Sequence, residues 1–73
     1  MEYLFDYSKL RGRIKERMGT QENFATALGM SSVALSNKLL HKSEFTQEEI
    51  TRSCEVLDIP LQEVPAYFFC KES

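Results

Sequence analysis

The side chains best suited to covalent or metal chemistry are His41, Cys54 and Cys70, and their spacing denies it. One histidine and two cysteines sixteen residues apart, with no CxxC, give zinc too few ligands and a thiol nucleophile no neighbouring base. The chain has no glycine-rich phosphate loop and no pair of acids in a recognisable pocket pattern. An enzyme is therefore not expected, and neither is a metal, cofactor or small-molecule substrate. Both cysteines are expected to be reduced thiols, with Cys54 acting as a small core hydrophobe. What remains is recognition through hydrogen bonds and methyl contacts. The stretch "TALGMSSVALSNKL", residues 26–39, carries Ser31, Ser32, Ser36 and Asn37 but a single cation, Lys38.

Those residues need elements to hold them, and the chain has 73 residues to build them. A domain of that size buries only about 60% of the surface its unfolded chain exposes, so the core must be thin. A composition 42% hydrophobic and 27% charged suits one globular domain spanning residues 1–73. The net charge of −2 hides a division along the chain. Residues 1–42 hold seven basic and four acidic side chains, whereas residues 43–73 hold two basic and seven acidic. Such a dipolar domain can turn a basic surface toward phosphates and its acidic end away. No apolar run approaches the roughly 18 residues of a membrane span. The start "MEYLFDYSKL" lacks the pattern of a signal peptide, so a cytoplasmic protein is expected.

The punctuation is helical throughout. Leu10, Ile14 and Met18 mark one face of a first helix from about Tyr7 to Arg17, with Asp6 as its cap and Gly19 as its stop. Thr20 is placed to cap a second helix that buries Phe24, Ala25 and Leu28, and Gly29 supplies the left-handed residue at its end. Ser31 caps a third helix with Leu35 and Leu39 inward, extending as far as Leu40 or His41. After the polar connection "HKSEF", Thr46 and Glu49 form a capping box for a fourth helix that buries Ile50, Cys54 and Leu57. Pro60 suits the first position of a fifth helix with Leu61 and Val64 inward. Pro65 predicts a kink or restart there, followed by the aromatic tail "AYFF". No segment alternates as a strand does.

Two helices joined by a three- or four-residue turn are the helix-turn-helix unit, spanning here about residues 20–40. Gln21, Ala25, Leu28, Gly29, Ser31, Leu35 and Ser36 stand at its offsets. On these residues "TQENFATALGMSSVALSNKL" resembles the phage repressor and Cro-like, or Xre-type, family. The wider frame, with "FDYSKLRGRIKERMG" before it and "YFF" after, is similar to small Cro-type repressors of phages and prophages of low-GC Gram-positive bacteria. The resemblance implies an all-α, lambda-repressor-like domain of four or five helices. It implies a transcriptional regulator that binds a pseudo-palindromic DNA operator through the major groove, as a homodimer.

Carried onto this chain, the resemblance makes Leu35 the buried anchor of the recognition helix and places Ser32, Val33 and Asn37 at base edges. Gln21 and Ser31 fall at phosphates. Side-chain chemistry agrees in part: Asn37 can pair bidentately with adenine, Ser32 can donate or accept, and Val33 can meet a thymine methyl. Without an arginine to grip guanine, recognition would be A/T-weighted. Affinity would then fall to Lys38, His41, Lys42 and one or more of Arg11, Arg13 and Arg17 at phosphates, with Arg13 foremost. The family commonly has an apolar residue at Lys38 and a polar one at Leu39, so the inward face is shifted by one. Two surfaces are candidates for dimerisation, Tyr67 to Phe69 and Tyr3 to Phe5, and either set could instead close the core. The rival reading is a protein-interaction regulator, antirepressor or antitoxin-like, which the net acidity and the small-residue recognition helix favour.

Overall fold

The computed structural model describes residues 5–69. Five helices follow one another: α1 (Ser8–Met18), α2 (Gln21–Leu28), α3 (Ser32–Leu39), α4 (Gln47–Leu57) and α5 (Val64–Phe68), with a 3-10 turn at Leu61–Glu63. The described residues contain no β-strand. None of these helices is long and apolar enough to cross a membrane.

Helix starts follow the capping residues closely. Thr20 Oγ1 accepts from Asn23 N at 3.1 Å and Ser31 Oγ from Ala34 N at 3.1 Å. At α4 the box is reciprocal: Thr46 Oγ1 accepts from Glu49 N at 3.1 Å, and Glu49 Oε1 accepts from Thr46 N at 2.8 Å. Helix α1 opens at Ser8, one residue later than expected. Asp6 takes both the backbone N–H of Ser8, at 2.8 Å, and its hydroxyl. Those two bonds, the hydroxyl's first, hold the Asp6 carboxyl below its ordinary pKa.

Three helix ends share one device. After α2, Gly29 sits at φ 76° and Met30 N reaches back to Ala25 O at 3.0 Å. After α3, His41 sits at φ 66° and Lys42 N reaches Asn37 O at 2.8 Å. After α4, Asp58 sits at φ 56° and Ile59 N reaches Cys54 O at 2.9 Å. Each is a Schellman-type end with one left-handed residue. Glycine announces only the first of them, because His and Asp carry a Cβ that makes this conformation costly and gives no warning in the sequence.

Leu10, Ile14, Phe24, Ala25, Leu28, Leu35, Leu39, Cys54, Leu57, Ile59, Tyr67 and Phe68 form one buried cluster. Cys54 is the core hydrophobe expected of it, and burial pushes its thiol pKa up. The inward shift at Leu39 is real: Leu39 is buried and Leu40 is exposed. Ile50 is only half-buried. Leu61, expected inward, is 75% exposed, because Pro60 starts a 3-10 turn whose three-residue period turns Leu61 outward. The chain restarts as α5 at Val64, which places Pro65 in the first turn, where its missing N–H has no helical partner to lose. Tyr67 and Phe68 are buried, so this part of the aromatic tail closes the core against α1, while Phe69 stays half-exposed, edge-to-face with Phe5 at 5.7 Å. Phe45, inside the connection read as polar, packs edge-on between Tyr7 (5.7 Å) and Phe68 (5.4 Å). Tyr3 and Cys70 lie outside the described residues.

Candidate functional site

The N-terminal turns of α2 and α3 converge on a shallow groove lined by Thr20, Gln21, Glu22, Ser32, Val33 and Ser36. Leu35, fully buried, anchors α3, with Ala34 and Ser36 half-buried on either side of it. Val33 is 69% exposed, and Ser31 and Ser32 are exposed beside it. Gln21 and Asn37 are half-buried, with Asn37 a turn beyond Val33 on the same helix. Of the residues predicted to read a surface, Gln21, Ser32 and Val33 line this groove together, and Asn37 and Ser31 are not in its lining. Sequence reasoning gave Glu22 and Ser36 no site role, although both line this groove. Their signal was spacing: Glu22 follows Gln21, and Ser36 lies one turn after Ser32.

Two of the basic residues are engaged within the fold. Lys38 points away from the groove: its Nζ lies 3.1 Å from Glu49 Oε1 and donates to Glu44 O at 2.9 Å, and only 13% of the side chain is exposed. An ammonium held this way must break an ion pair to reach a phosphate. The half-buried Glu49 carboxylate loses solvation, which raises its pKa, but the Thr46 N–H and the Lys38 ammonium outweigh that and leave it lowered. Arg13 is likewise engaged, with Nε on Leu57 O at 2.9 Å and Nη2 on Asp58 O at 2.8 Å, so it caps the end of α4. Lys38 and Arg13, both expected at phosphates, thus each have partners within the fold that a phosphate would have to replace.

The same use recurs. Arg52 Nη1 donates to Leu28 O at the end of α2 (3.0 Å), and Arg11 Nη2 lies 3.4 Å from Leu39 O at the end of α3. Arg17 reaches Asp58 at 3.5 Å. Guanidinium groups favour helix C-termini because the last carbonyls lack partners and carry the negative end of the dipole. Of Lys38, His41 and Lys42, only Lys42 is exposed; His41 is half-buried and stacked on Tyr7 at 5.0 Å. Among the described residues, no group of three or more His, Cys, Asp or Glu gathers to hold a metal.

A family model described as "Protein of unknown function (DUF739)" matches residues 3–71. The chain belongs to that family. No curated protein matches it. Among solved structures, this DUF739 chain is similar to the modulator of repression (MOR) of the temperate bacteriophage TP901-1 from Lactococcus lactis. The two are 45% identical over 89% of this chain and 88% of that one, with a TM-score of 0.80. The all-α fold is thus that of a small phage regulator.

Proposed function

We propose that this chain is a regulator of a phage-type repression system, and that the α2–α3 groove contacts a protein of that system rather than operator DNA alone. The engagement of its cations carries the reading. A protein that holds duplex DNA by itself neutralises several phosphates, and each contact needs a cation at the surface. Here Arg13 seats on the Leu57 and Asp58 carbonyls and Lys38 on Glu49, Arg11 and Arg52 reach helix carbonyls while staying exposed, and the groove lining itself holds no cation, presenting Glu22 beside Val33, Ser32 and Ser36. An exposed aliphatic ringed by short polar groups is suited to a protein surface. The similarity to a modulator of repression supports the same reading.

A second reading, operator binding by a homodimer, is favoured by the capped α3 with Ser32 and Val33 exposed at its start. In that reading Ser32, Val33 and Asn37 meet bases, while Gln21, Ser31, His41 and Lys42 meet phosphates. Mobility shift on the DNA flanking the chain's own gene, with and without a repressor that binds that DNA, separates the two. The expected result is no shift by this chain alone up to micromolar protein, and an altered shift by the repressor when this chain is added. A salt-sensitive shift by this chain alone overturns the proposal in favour of the operator reading.

A further inference from the structure

We infer that the Lys38–Glu49 pair is a charge-held latch that seats the C-terminal half of α3, and that its release loosens the contact helix without unfolding the rest. Three observations meet at one point. Lys38 lies on α3 between buried Leu35 and Leu39 in sequence, and only 13% of its own side chain is exposed. Its ammonium ties α3 to two places at once, the Glu49 carboxylate at the start of α4 (3.1 Å) and the Glu44 carbonyl in the connecting segment (2.9 Å). The same Glu49 oxygen already accepts the Thr46 N–H of the capping box. One carboxylate therefore fastens both the start of α4 and the end of α3.

The surroundings make the latch local. Beyond Leu39, α3 ends on His41 in a left-handed conformation, and the guanidinium of Arg11 lies 3.4 Å from the Leu39 carbonyl, at the long limit of a hydrogen bond. The charged or titratable groups facing the latch are Lys38 from α3, Glu49 from α4 and, in the segment between, Glu44 with its backbone oxygen; Tyr7 beside that segment feels Glu44 and is pushed up mainly by burial. Glu49 is lowered in the fold relative to its free value. Its contribution is therefore full above the free carboxylate range and is lost as pH falls through the folded value. Lys38 is the positioning residue, and what it positions is the helix that carries Ser32, Val33 and Asn37. The inference rests on the α2–α3 groove as the contact face for its consequence, but not for its test.

Amide hydrogen exchange on the full chain alone reads the latch directly. Glu49→Gln keeps a side chain that can serve the capping box while removing the charge. The expected result is roughly tenfold faster exchange at Leu40, His41 and Lys42, whose N–H groups close the end of α3, with Gly29, Met30 and Ile50 unchanged. Acidification should reproduce this in the parent, after correction for intrinsic exchange. In Lys38→Met, where an apolar side chain replaces the pair, those three amides should lose that pH response. Equal acceleration at all sites, no difference in Glu49→Gln, or a pH response that survives Lys38→Met overturns the inference. None of these outcomes depends on what the groove binds.

Discussion

Arg13 shows how far a residue's charge is from its use. With Arg11 and Arg17 it reads from the sequence as a phosphate contact, yet its guanidinium lies on the carbonyls of Leu57 and Asp58. Arg13→Ala should lower the urea midpoint by the equivalent of about 1 to 3 kcal/mol with an unchanged slope, since it orphans the partly buried Leu57 carbonyl. Arg13→Lys should recover little, because one ammonium cannot reproduce a fork. Lys38 is the parallel case. Its sequence position on α3 was legible, but its rotation inward was not, because only the packed α4 supplies Glu49. Ser32 and Val33 were read more directly. Two residues at the start of a capped helix, just before a buried leucine, have little choice but to face outward.

Among the elements, starts were more legible than ends. A capping side chain is local, so Thr20, Ser31 and Thr46 announce α2, α3 and α4 from the sequence. A left-handed end is local only when glycine marks it; at His41 and Asp58 the surrounding contacts impose it. Gly29→Ala tests the legible one. The added Cβ would meet Arg52 Nη1 at 3.8 Å, an ordinary contact, so the cost is conformational and should be about 1 to 2 kcal/mol. In a domain of this length that corresponds to a melting temperature lower by roughly 4 to 8 °C per kcal/mol. The 3-10 turn was the element least legible, because Pro60 is compatible with either helix type and only the short path from α4 to the buried Tyr67 selects the tighter one.

The whole molecule is a thin core closed by its own tail. Phe68 is 1% exposed and lies against Phe45, so Phe68→Ala should remove about 3 to 5 kcal/mol, a large part of the roughly 5 to 15 available to a small domain. A chain truncated after Ala66 should therefore fail to give a cooperative melt, and sedimentation should report an expanded monomer rather than a folded one. A folded, merely dissociated product would show instead that the tail serves an interface. Helix count, order and most of the core were legible because period and caps agree along the chain. The site was legible as a face but not as a charge distribution, since ion pairs such as Lys38–Glu49 join segments that sequence spacing does not relate.

The three guanidinium seats on helix carbonyls also make the choice of denaturant informative. Free guanidinium is the head group of Arg11, Arg13 and Arg52, and it competes for the acceptors at Leu39, Leu57 and Leu28 while urea does so only as a neutral amide. Guanidinium chloride ordinarily has about twice the unfolding slope of urea. For this fold the midpoint in guanidinium should fall below half of that in urea, and the gap should narrow in Arg13→Ala, where one seat is already vacant.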